Sequence, residues 1–203
     1  MIDTASLAAF GVASLLIELT PGPNMTYLAL IAATEGRRRA FAAVAGVALG
    51  LSVIGLATAL GVTAMLGSSP LAYQGLRWAG FFYLLWLAWD GWRDNHETAP
   101  LAGPGSAYLV YFWRGLVTNL LNPKAAVFFV TVVPTFLAAG APKSEAVMLS
   151  AIYVGIATFV HVMIVSLAGA TQPWLANPKR EKITRRGLSV GLVAVAIWMI
   201  WRS

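Results

Sequence analysis

The chain has 203 residues, of which 59% are hydrophobic and only 11% charged, and its mean hydropathy is +0.73. A soluble globular domain carries roughly a quarter charged residues, so this is the composition of an integral membrane protein, and no stretch outside the apolar runs is long enough to build a core of its own. The absence of cysteine excludes disulfides, thiol redox chemistry and thiolate metal sites, and the two histidines, His96 and His161, lie at separate places, which argues against a transition-metal centre. The net charge of +6 is gathered in short basic blocks between apolar runs, the pattern of a topology signal and not of a nucleic-acid surface.

The N-terminus lacks the positive region of a secretory signal, so the first helix is expected to stay. The first apolar run, 7–34, is interrupted by Glu18, Thr20, Pro21, Gly22, Pro23 and Asn24. Neither arm alone reaches the roughly 20 residues that a bilayer requires, but the two together do. Pro21 and Pro23 are predicted to free the carbonyls of Ile17 and Leu19, with Gly22 letting the chain bend. At membrane depth such a break survives only where it is buried in protein or lines a polar cavity. A proline-kinked packing helix would account for the prolines; it would not account for Glu18. A carboxylate inside the membrane is by default functional, which makes Glu18 the first candidate for proton coupling.

The second run, 40–66, is rich in small residues, with Gly46 and Gly50 four apart. That spacing suits close packing within the monomer first and a homo-oligomer second. The third, 71–92, ends in Trp86, Trp89, Asp90, Trp92 and Arg93, an interfacial cluster in which Asp90 is expected to pair with Arg93. The segment 94–106, with Pro100 and Gly-Pro-Gly at 103–105, reads as a loop. In the fourth run, 115–139, Thr118, Asn119 and Asn122 share a helical face beside Pro123 and Lys124. Pro123 is predicted to free the carbonyl of Asn119. Lys124 lies about 15 Å along the helix from Arg114 at 1.5 Å per residue, too deep to snorkel, so it must reach along the helix, pair with a carboxylate such as Glu18, or face water. Pro134 predicts a further kink. The fifth run, 146–170, carries Ser150, Tyr153, Thr158, His161 and Ser166, with His161 either a hydrogen-bonding partner or a second proton-coupling candidate. The sixth, 187–201, is apolar and ends in Trp198 and Trp201.

Six runs able to span thus form one transmembrane domain over 1–203, an all-α, polytopic fold. Ten of the basic residues fall in the odd-numbered loops or at their edges, against Arg77, Lys143 and Arg202 on the other side, so the odd loops are expected in the cytoplasm and both termini outside. The two breaks open the two three-helix halves. Because three is odd, the halves enter the membrane from opposite sides, as two inverted repeats whose interrupted first and fourth helices meet at a substrate site. Its expected members are Pro21, Gly22, Pro23, Asn24, Asn119, Asn122, Pro123 and Lys124, with Glu18 and His161 coupling protons. Free N–H groups near Asn24 and the charge of Lys124 suit a carboxylate; Glu18 and the amides of Asn119 and Asn122 suit an ammonium group.

These residues also carry a resemblance. Thr20-Pro-Gly-Pro-Asn24, Gly36 with Arg37 to Arg39, Ala45-Gly-Val-Ala-Leu-Gly50, Arg77 with Gly80-Phe-Phe-Tyr-Leu84, and Asn119-Leu-Leu-Asn-Pro-Lys124 with Phe128 and Phe129 are similar, in order, to the LysE/RhtB family of bacterial amino-acid exporters. The resemblance implies a multi-pass protein of the bacterial cytoplasmic (inner) membrane that exports amino acids or close derivatives by proton antiport, without cofactor. Ala88 departs from the glycine usual at that place. No strongly acidic cavity accompanies the breaks, which favours neutral substrates over basic ones. Transport of another small solute or a cation on the same fold is the alternative. An intramembrane enzyme would have Glu18, Lys124 and His161 to work with, but the chain has no His-Glu-x-x-His or Gly-x-Ser-x-Gly run.

Overall fold

A computed structural model describes residues 2–61, 69–93, 104–138, 140–171, 174 and 177–201. The end of the second apolar run (62–66), most of the expected loop (94–103, with His96), Ala139 and Arg202 lie outside them. Among the described residues every regular element is helical: α1 (Thr4–Leu19), α2 (Pro23–Thr34), α3 (Arg37–Ala59), α4 (Pro70–Trp92), α5 (Pro104–Leu120), α6 (Pro123–Thr135), α7 (Lys143–Gly169) and α8 (Pro178–Trp201).

Both proline breaks are present. The chain turns by 58° between α1 and α2 and by 49° between α5 and α6. Each bent pair is long and apolar enough to cross a membrane, as are α3 and α7 individually. With 23 and 24 residues α4 and α8 have the length but a mixed composition, α4 through its tryptophans, Arg77 and Asp90, and α8 through the basic residues that open it. The outer surface carries large apolar side chains such as Leu16, Leu56, Phe159 and Leu167, as suits a lipid-facing wall. The protein is an all-helical, multi-pass membrane protein.

Two segments read as loops are helix. Pro104–Ser106 open α5, and the basic stretch from Lys179 to Arg186 forms the first turns of α8. In both cases a proline stands at the first helical position, where its missing N–H costs nothing.

α3 shows why the small residues recur. Ala40, Ala43, Val44, Val47 and Leu51 are buried together with Gly46, Gly50 and Gly55 on one helical stripe. A Cβ on Gly46 would collide with the carbonyl oxygen of Phe112, and one on Gly115 with that of Ala43. The two glycines therefore let the backbones of α3 and α5 touch at a crossing within the monomer.

Two apolar cores result. One joins Phe10 of α1, Val47 and Leu51 of α3, Phe128, Phe129 and Val133 of α6, and Leu149, Tyr153 and Ala157 of α7. The other joins Tyr27, Leu28 and Ile31 of α2, Ala40, Ala43 and Val44 of α3, Leu84 and Leu87 of α4, Val165 of α7 and Leu192 of α8. Along α7, His161 falls between Ala157 of the first core and Val165 of the second; along α1 and α2, Glu18 and Asn24 fall between Phe10 and Tyr27. Both breaks and their polar side chains thus occupy the seam between two hydrophobic cores.

α6 is not a uniform α-helix. Phe128–Val132 form a π-turn in which the N–H of Val133 bonds to the carbonyl of Phe128. Pro134, one residue on, lacks an N–H and crowds the carbonyl of Val130, so the widened turn stands where the sequence places a kink.

Candidate substrate site at the two helix breaks

Glu18, one turn before the first break, is 5% exposed. Its Oε1 accepts a hydrogen bond from the Tyr153 hydroxyl at 2.5 Å, and its Oε2 lies 3.5 Å from Nε2 of His161. The Lys124 ammonium is 4.0 Å from Oε1 and donates to the carbonyl of Thr20 at 2.8 Å. Lys124 therefore takes the carboxylate option that its depth left open, and it also ties the second break to the first. A buried ionised pair without further hydrogen bonds is costly; here the carboxylate has Tyr153 and the ammonium has Thr20.

The amides form a second bridge. Asn24 Nδ2 donates to Asn119 Oδ1 at 2.9 Å, and both residues are buried. Among the described residues the other half of each amide, Asn24 Oδ1 and Asn119 Nδ2, has no partner, nor has either ring nitrogen of His161 a hydrogen bond. Unsatisfied buried polar atoms call for an explanation, and three residues supplying them lie at this one seam. Gly50 leaves the space for the bridge, since a Cβ there would lie 2.8 Å from Asn119 Nδ2.

The backbone groups behave differently from the expectation. The carbonyls of Ile17 and Asn119 are not free: they accept from the N–H groups of Thr20 and Asn122, each three residues on, in tightened last turns. Gly22 has φ −162°, extended backbone that any residue adopts. Its value is space, because a Cβ there would sit 3.2 Å from Cδ of Lys124. Pro21 and Pro23 frame this extended corner and Pro23 opens α2, while Pro123 opens α6 behind Asn122.

All the residues expected from sequence therefore come together, with Thr118 the exception on its face: its hydroxyl turns back to the Arg114 carbonyl at 2.6 Å. Tyr153, which joins this cluster through Glu18, is not among the residues expected from the sequence. Its spacing of eight from His161, with Ala157 midway, put both on one buried face of α7, which was the available signal.

Charges at the two ends are also paired otherwise than expected. Asp90 bonds Arg114 of α5 at 2.6 Å, while Arg93 lies over the Trp89 ring, 4.6 Å from its centre. Arg77 is buried and donates to the carbonyl of Ile200 at 2.8 Å, closing the last turn of α8. Glu35, just past α2, bonds Arg39 at 2.7 Å and Arg185 of α8 at 3.2 Å. Burial opposes its ionisation, but Arg185, the hydroxyl of Tyr111 and Arg39 together outweigh that and hold its pKa below the ordinary 4.5. The stabilisation is therefore present above that ordinary value and is lost as the pH falls below it, through the folded-state pKa. A basin of about 960 Å³ opens there, lined by Glu35, Arg37, Arg38 and Arg39 among others. Beside the second break, on the side of Arg77 and Trp198, lies a separate cavity of about 300 Å³ that reaches Asn122 and Lys124. Among the described residues no group of acidic, histidine or cysteine side chains is arranged to hold a metal ion.

The family model of the LysE type translocator matches residues 14–203, nearly the whole chain. The chain belongs to the LysE family. It is 30% identical over 184 residues, 86% of this chain and 85% of the relative, to the homoserine/homoserine lactone efflux protein of Salmonella typhimurium. It is similarly 29% identical over 192 residues, 91% of this chain and 88% of the relative, to the leucine efflux protein of Klebsiella pneumoniae. No solved structure matches it. Membership of the LysE family makes this protein a membrane transporter and not an enzyme, and both helix breaks fall inside the matched region.

Proposed function

We propose that this LysE-family protein exports amino acids or close derivatives, neutral ones favoured, across the bacterial cytoplasmic membrane in exchange for protons. The observation that carries the reading is the junction of the two breaks: a buried carboxylate, an ammonium, a histidine and two half-satisfied amides held between two apolar cores. The relatives' names, efflux proteins for homoserine or its lactone and for leucine, support an amino-acid-like cargo.

In this reading Asn119 Nδ2 and the uncapped N-terminus of α2 receive the substrate carboxylate, together with Lys124. Asn24 Oδ1 and Asn122 receive the ammonium. Glu18 takes up and releases the proton with His161 beside it, and Tyr153 orients the carboxylate. Glu18 cannot serve Lys124 and a proton at once, so protonation loosens the link between the breaks. Alternating access follows from that loosening, with two inverted three-helix repeats moving about the seam as the interrupted first and fourth helices part. The basic residues near the odd loops support six spans with both termini outside.

The decisive experiment is uptake of a panel of labelled amino acids into inside-out vesicles containing the protein, with and without an imposed proton gradient. Accumulation that depends on the gradient is the expected result. Transport of cations or other solutes with no amino acid moving would overturn the assignment. A reporter enzyme active only outside the cytoplasm, fused after Ser203, should be active; an inactive fusion would reverse the orientation.

A further inference from the structure

The cavity of about 300 Å³ beside the second break shares Asn122 and Lys124 with the polar seam, but its other walls have different chemistry. Ile17 of α1, Val127, Phe128 and Val132 of α6, and Trp198 of α8 make it predominantly apolar. The polar void on the far side of Lys124, lined by Glu18, Asn24, Tyr153 and His161, has only about 10 Å³ of free space. The seam can therefore hold charged groups by exchanging its own contacts, but it has no room for a side chain. The cavity has that room. Its volume is at the lower end of the range of about 300–1,000 Å³ usual for small-molecule sites.

We propose that this cavity is the side-chain subsite of the transporter, taking amino acids with bulky apolar side chains whose charged end lies at Lys124 and Asn122. The inference rests on the exporter reading and sharpens it from neutral to bulky and apolar. The occupant is a small carboxylate and not a lipid tail because two cationic side chains, Lys124 and Arg77, line the cavity. The inner wall is moreover connected to the site. Phe128 stacks on Tyr153 with ring centres 3.7 Å apart, and Tyr153 bonds Glu18. A side chain seated against Phe128 thus presses on the ring that holds the carboxylate. The π-turn forms this wall from Phe128 to Val132, and such turns recur at functional sites.

Two changes of volume test this in proteoliposomes of the full chain, with labelled alanine, leucine and phenylalanine. Val127 is 39% exposed and tolerates a larger residue; Val127→Trp should cut leucine and phenylalanine transport about tenfold while alanine stays within about twofold, the discrimination that pocket volume supplies. Val132→Ala should raise phenylalanine relative to leucine. Alanine transport reports in each case that the variant is folded. If wild-type protein carries the three substrates and both variants leave their ratios unchanged, the cavity holds lipid or is packing, and the subsite is wrong while the exporter stands. If wild-type protein moves no amino acid, the exporter reading falls and the subsite with it.

Discussion

The first break, between Leu19 and Pro23, turns the chain by 58° and leaves the next helix with no side-chain cap; the second, between Leu120 and Pro123, turns it by 49° and caps itself, Asn122 Oδ1 accepting from the N–H of Lys124 at 3.0 Å. The first break keeps a carboxylate one turn upstream. The second sends a cation across to the first, onto the Thr20 carbonyl. One side is thus receptive, with bare helix N–H groups and an acid, while the other is self-satisfied and supplies the tie. Two prolines in two apolar runs look equivalent, but the residue beside each proline decides whether the helix it opens is capped. Gly22 cannot cap α2; Asn122 does cap α6.

If the receptive side carries coupling, its loss should be the most severe. Glu18→Gln removes the charge facing Lys124 and His161, and breaking a buried pair costs about 3 kcal/mol, on the order of a hundredfold. Gradient-driven accumulation should fall by that order while exchange of substrate without a gradient persists; unchanged accumulation with unchanged pH dependence would move the coupling role elsewhere, with His161 next. Lys124→Met should act on the tie. Losing a charged hydrogen bond costs about 1.5–3 kcal/mol, at least about tenfold in apparent substrate affinity, read as KM in vesicle uptake, and intact affinity would remove Lys124 from the site.

Smaller effects separate structure from function. Asn122→Ala strips the cap of α6 at about 1 kcal/mol, a fall in Tm of roughly 2–4 °C for a chain of this size, visible in thermal unfolding in detergent. Gly22→Ala, at the break without a cap, should change Tm least, because its backbone is already extended and the Lys124 side chain it would touch is flexible. A larger loss of stability at Gly22 than at Asn122 would reverse the assignment of receptive and self-satisfied sides.

The breaks, Glu18, Lys124 and the amides were legible because each is a local anomaly, a polar or helix-breaking residue within an apolar run. Their chemistry shows at once against such a background. The partners were less legible, since they come from helices far apart in sequence. Nothing near Asp90 points to Arg114 in preference to Arg93, which stands a turn away, and Tyr153 is one of several polar residues on α7 until Glu18 is placed opposite it. In the sequence Arg77 is one of few basic residues on the side opposite the odd loops, which gives no sign that it closes the last turn of α8. Backbone satisfaction was the least legible: proline predicts a lost bond, but the carbonyls of Ile17 and Asn119 recover one by tightening the turn. Pro134 gave the position of the irregularity in α6 without giving its form.

That form has a bearing on how such a helix can change in length. A π-turn takes up one residue more than the α-turn on either side, so in Phe128–Val132 the number of residues and the distance spanned come apart. Deleting one residue there lets the turn relax to an ordinary α-turn, with Val133 still facing the core in which it is buried. The same deletion inside α5 would rotate everything after it by about 100° and carry Asn119 or Asn122 away from Asn24. The cavity wall therefore lies on a stretch of chain that can lose a residue without loss of phase, and the cavity can be resized by chain length as well as by side-chain choice.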